Sequence, residues 1–123
     1  NTSQVNLSIK NKNLKNENSV TNYKLLNKKN GISQILYNPK TGKTHQLRIV
    51  SKNLGCPIIG DEKYNALSKL RKEKLMLHAY SLKFSINNKL VEYVADLPDH
   101  FITFIKKNNL KMIKNFQTHL DSF

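Results

Sequence analysis

An α+β domain, mainly antiparallel or mixed sheet flanked by helices, is the class this sequence predicts. Three observations carry the prediction. Two β-branched and aromatic stretches are each folded back by an asparagine-led turn, at Asn30-Gly31 and at Asn87-Asn88-Lys89. Between them, apolar residues recur at helical spacing, bounded by a capping threonine and by a glycine and a proline. Pro98-Asp99 then opens a second helical stretch, and no segment repeats.

Each element follows from its residues. Residues 1–18 are Asn, Lys and Ser around isolated Val5, Leu7, Ile9 and Leu14, and read as a flexible linker or a weak strand. The domain itself is expected over residues 19–123. Residues 19–27 have strand composition. Residues 32–37 set Ile32, Gln34 and Leu36 against Ser33, Ile35 and Tyr37, so the two stretches pair across Asn30-Gly31. Asn38-Pro39 breaks the strand, and Thr44 caps a helix running to about Leu54. On that helix Leu47, Val50 and Leu54 form an apolar stripe, with His45, Arg48 and Lys52 on a polar stripe about 100° away. Gly55 suits a left-handed stop and Pro57 enforces it. Residues 57–61 read as a short strand before Tyr64 in a loop, and residues 66–74 as a charged helical turn or two. A long strand over 75–86, with Leu82, Phe84 and Ile86 on one face, returns through 90–95. The final helices turn Phe101, Ile102 and Ile105 inward, then Met112, Ile113, Phe116 and Leu120.

Charge bears on partners. The chain of 123 residues carries 21 Lys+Arg against 8 Asp+Glu, a formal +13. A polyanion is the natural partner, because each neutralised phosphate releases a counterion. Lysine and asparagine inflated by genome composition is the bland alternative. Tyrosines at 23, 37, 64, 80 and 93 interleave the lysine runs, a combination suited to RNA, although most read as half-core residues. No apolar run approaches the roughly 20 residues that span a bilayer, so a membrane partner is not expected. The single Cys56 cannot form an internal disulfide, in keeping with a reducing, cytoplasmic compartment. The chain opens on Asn1, which suggests that a preceding segment has been removed.

Several chemistries lack their pattern. His45, His78, His100 and His119 show no metal-ligand spacing, so no metal is expected; no Ser-His-Asp pattern or phosphate-binding glycine loop occurs either. Lys43 and Thr44 at a helix start suit a phosphate, though an ordinary capped helix has the same look. Arg48 stands out. Arginine occurs only at Arg48 and Arg71, and its planar fork holds a carboxylate or phosphate by two points where lysine cannot. Placed at the edge of a buried helix face, Arg48 looks functional rather than solubilising.

Three separated motifs, in order, resemble the RluA-type family of RNA pseudouridine synthases, over roughly residues 19–108. The first is Pro39-Lys40-Thr41-Gly42-Lys43-Thr44-His45-Gln46-Leu47-Arg48 and the second Gly55-Cys56-Pro57-Ile58-Ile59-Gly60-Asp61 with Tyr64. The third is Leu75-Met76-Leu77-His78-Ala79 with Leu82 and Phe84, closing at Leu97-Pro98 and Phe101. The resemblance implies the C-terminal part of a catalytic domain that acts on ribosomal RNA without metal or cofactor. It implies that Arg48 pairs with a catalytic aspartate supplied by a missing upstream half, since no His-Arg-(Leu/Ile)-Asp segment occurs here. Leu47 would line the uracil pocket, and Lys43, Thr44, His45 and Gln46 would contact RNA. Asp61 matches the family's Gly-Asp turn rather than its nucleophile. By itself the chain is expected to be inactive; a non-catalytic, basic RNA-binding module from a split or truncated gene is the competing expectation.

Overall fold

The computed structural model describes residues 2–66, 70 and 72–123. Strands β1 (Ser3–Lys10), β2 (Asn16–Lys29) and β3 (Ile32–Pro39) form an antiparallel meander in that order. Helix α1 (Gln46–Asn53) packs on β1 and β2. A separate hairpin, β4 (Ser81–Ile86) with β5 (Lys89–Val94), precedes helices α2 (Asp99–Lys107) and α3 (Phe116–Asp121). The class is α+β, and every strand pairing among the described residues is antiparallel.

The N-terminal stretch takes the strand alternative. Val5, Leu7 and Ile9 alternate with polar residues, and pairing from Ser3↔Tyr23 to Lys10↔Asn16 drives Ile9 to 4% exposure. The connection to β2 is built by Asn11, whose Oδ1 accepts from the backbone N–H of Asn13 and Lys15 at 2.9 and 3.1 Å. Asn30 and Gly31 both have positive φ, 54° and 75°, the two-residue turn whose twist matches the flanking strands. A register shift between Leu25 and Asn27 leaves Leu26 as a bulge in β2.

The core gathers Ile9, Val50, Ile58, Phe104, Ile105 and Ile113. Helix α1 ends as expected. Gly55, at φ 81°, donates to the Lys52 carbonyl and Cys56 to the Ser51 carbonyl, both at 3.0 Å, which satisfies the last carbonyls of the helix.

Several expectations are corrected. Residues 57–61 are not a strand: the Asp61 N–H donates to Ile58 O at 3.2 Å, closing a turn. Residues 75–80 lie outside any ladder, which begins only at Ser81. Helix α2 buries Phe104 and Ile105, while Phe101 and Ile102 stay half-buried. Phe101 packs edge-on against His78 and His100 instead, at 6.0 and 5.2 Å between centroids. Met112 and Ile113 precede α3 rather than belonging to it. The helical turn expected over 66–74 falls partly outside the described residues.

Candidate functional site

The segment joining β3 to α1 is fastened by Gln46. Its amide nitrogen donates to Thr21 Oγ1 at 2.8 Å and Val20 O at 3.2 Å; its oxygen accepts from Thr41 Oγ1 at 2.8 Å and the Lys43 N–H at 2.9 Å. At 5% exposure all of its hydrogen-bonding capacity is used inside the chain. Gln46 is therefore a structural tie between β2 and the loop, not an RNA-facing group. The cap is also displaced: α1 starts after His45, which takes a left-handed φ of 53° and makes no side-chain cap bond, whereas Thr44 is exposed. A first turn closed by the Gln46 N–H on Lys43 O, at 3.0 Å, leaves threonine one residue too early to cap.

Arg48 has a carboxylate in hand. Its Nε donates to Asp61 Oδ2 at 2.9 Å and its Nη2 to Asp61 Oδ1 at 2.8 Å, the two-point geometry that favours arginine. The expectation that its partner lies wholly outside the chain is thus corrected for this edge of the guanidinium. Asp61 has a fully buried side chain and Arg48 retains 23% exposure. Asp61 Oδ1 also accepts from the backbone N–H of Lys63 and Tyr64, each at 3.1 Å. These donors, Arg48 first, hold the Asp61 carboxyl below its ordinary range although burial opposes ionisation. Enclosed, and with all four of these hydrogen bonds made to groups of its own chain, Asp61 acts as an internal anchor.

What brings Asp61 to this place is Gly60. Its φ is 82°, and a side-chain carbon there would sit 2.3 Å from the Lys74 carbonyl oxygen. Only a glycine lets the turn press this closely on the 73–74 backbone. The Met76 N–H on Ile59 O, at 2.9 Å, fastens the same contact.

Tyr64 supplies a face. Its ring centroid lies 5.1 Å from Arg48 Cζ and 5.4 Å from Lys63 Nζ, within cation–π range. Its hydroxyl meets His45 Nδ1 at 3.2 Å. Lys43, by contrast, points elsewhere: its Nζ meets Glu17 Oε2 at 2.9 Å, and hydrogen bonds from Lys43 and then Asn11 hold the Glu17 carboxyl below its ordinary range. A hollow of about 160 Å³ runs past Glu17, Lys43 and Thr44; Arg48 is not in its lining. Leu47 is half-buried at the edge of α1. Behind the helix, Tyr37 hydroxyl lies 2.7 Å from Ser51 Oγ, and burial pushes its pKa up to about 12.

The structure thus joins Arg48, His45 and Tyr64 in one cluster and Lys43 and Thr44 beside another. It adds Asp61 and Tyr64, which the sequence shows only as a Gly-Asp turn and a loop aromatic. The signal for Asp61 was an acidic residue straight after a glycine, three before an aromatic, in a chain with 8 acidic residues. Among the described residues no group of three or more His, Cys, Asp or Glu is placed to hold a metal ion, and no helix is long and apolar enough to cross a membrane.

No family model matches the chain. Ribosomal large subunit pseudouridine synthase D of Borreliella burgdorferi is 37% identical over 101 residues, 77% of this chain and 31% of that protein. Ribosomal large subunit pseudouridine synthase C of Rickettsia felis is 41% identical over 87 residues, 68% of this chain and 28% of that protein. The solved structure of human RNA pseudouridylate synthase domain containing 4 aligns with a TM-score of 0.77 and 24% identity, covering 92% of this chain and 58% of that one. That likeness establishes the fold. The chain spans about a third of the length of these two curated relatives.

Proposed function

This chain belongs to the RluA-type RNA pseudouridine synthases, and from that premise we propose that it is part of an enzyme isomerising uridine to pseudouridine in ribosomal RNA. In that reaction the N1–C1′ bond breaks, the base turns, C5 bonds to C1′ and loses its proton, and N1 gains one. The nucleophilic aspartate comes from a segment outside these 123 residues, consistent with the share of each relative that the chain spans. Arg48 faces that aspartate, keeps it ionised and aims it. Leu47, beside Arg48 at the helix edge, lines the base pocket. Lys43, Thr44 and His45, with the wider +13 surface, meet the RNA backbone. Without the nucleophile the chain does not turn over.

The observation that carries the reading is the guanidinium of Arg48: anchored along one edge by Asp61, yet still partly exposed. Pseudouridine formation on large-subunit ribosomal RNA tests it. In the intact synthase Arg48→Lys, which keeps the charge and loses the fork, lowers kcat about 100-fold or more. A near-normal rate removes Arg48 from the mechanism. The excess of positive charge also suits a second reading, a non-catalytic RNA-binding module. Product formed by the 123-residue chain alone contradicts the outside nucleophile; an intact protein that binds RNA but never yields pseudouridine favours the module.

A further inference from the structure

An arginine has two edges that each present a pair of N–H donors to a carboxylate, Nε with Nη2 and Nη1 with Nη2. Asp61 occupies the first, at 2.9 and 2.8 Å. Nη1 makes no hydrogen bond within the described residues, and the Arg48 side chain keeps 23% exposure. Tyr64 lies along the group, 5.1 Å from Cζ, with its own hydroxyl against His45. One edge is therefore locked and one face is covered, and the second edge is left to accept another carboxylate.

We infer that Asp61 is a positioning residue for the isomerisation, holding Arg48 so that its Nη1–Nη2 edge meets the nucleophilic aspartate, with Tyr64 as the supporting face. The inference rests on the proposed pairing of Arg48 with that aspartate. Its physical content is that one guanidinium serves two carboxylates. Asp61 is suited to the anchoring half, because its Oδ1 also accepts from the Lys63 and Tyr64 N–H groups, so the carboxylate cannot follow the arginine outward. The nucleophile gains an oriented donor pair but shares the positive charge with a second anion, which limits how far its own acidity is raised.

Asp61→Asn in the intact synthase, assayed for pseudouridine in ribosomal RNA across pH, is the test. The anchor weakens and one anion is removed from beside the nucleophile. The expected result is a kcat reduced about 100-fold with KM for RNA little changed. The acid limb of the pH–rate profile moves to lower pH, because the whole arginine charge now serves the nucleophile. A limb that stays in place or moves up overturns the inference, since a fold defect that merely lowers the active fraction leaves the limb where it was. If Asp61→Asn fails to fold, Tyr64→Leu, at a half-exposed position, takes its place. An undiminished kcat in Tyr64→Leu, with its thermal midpoint unchanged, also counts against the cradle; a roughly tenfold loss at that unchanged midpoint supports it. Arg48→Lys run in parallel separates the two levels. Normal activity there sinks the parent reading, whereas an inactive Arg48→Lys beside an unmoved limb in Asp61→Asn sinks only this one.

Discussion

The two hairpins of this molecule are made by the same chemistry and end in opposite circumstances. β2–β3 turns through Asn30-Gly31 and β4–β5 through Asn87-Asn88, all four residues at positive φ. The first is covered: Val50 of α1 is fully buried, and buried Gln46 at the helix start is hydrogen-bonded to buried Thr21 of β2. The second is bare. Leu82, Phe84 and Ile86 share a face with Val91 and Tyr93, yet Leu82 is 61% and Tyr93 62% exposed. Local sequence makes a hairpin; only a partner element makes a site. The candidate site lies where the covered sheet, α1 and the Gly60-Asp61 turn converge.

The largest expected effect breaks the covered side. Arg48→Ala leaves the Asp61 carboxylate enclosed without its cation, and costs about 3–5 kcal/mol in a denaturant or thermal melt. Gly60→Ala comes next, since its new carbon meets the Lys74 carbonyl oxygen in a backbone conformation that side chains resist; about 3 kcal/mol is lost. On the bare hairpin, Leu90→Thr changes the same melt by less than about 0.5 kcal/mol, because Leu90 is 73% exposed. A large loss there would show that β4–β5 is held by more than its own turn and ladder.

The same contrast explains what the sequence disclosed. Asn30-Gly31 and Asn87-Asn88 act within a few residues, so both turns were legible, as was the Gly55 stop of α1. Strand β1 was obscured by its Asn and Lys content, although the alternation of Val5, Leu7 and Ile9 was there to be read. Thr44 looked like a cap because capping rules know residue types, not the left-handed turn at His45 that moved the start. Gln46 was expected among the residues contacting RNA; its burial depends on Thr21 and Val20, far back in the chain. The side of the helix on which Arg48 stands followed from periodicity. Its partner did not, because the Asp61 contact depends on Gly60 pressing against a segment more than ten residues later.

The account turns on the guanidinium of Arg48 being fixed by Asp61, and the side-chain Nε–H of Arg48 reports this directly. Followed by NMR in the 123-residue chain, that proton should exchange slowly with water at neutral pH. Asp61 has its pKa depressed in the fold, so the protection it gives is present above its ordinary value of 3.8 and fades as the pH falls through the lower, folded value. Slow exchange at neutral pH, with a protection relative to free arginine that is lost only as the pH falls through that lower value, is the predicted result. Exchange at neutral pH as fast as that of a freely solvated arginine would contradict the account.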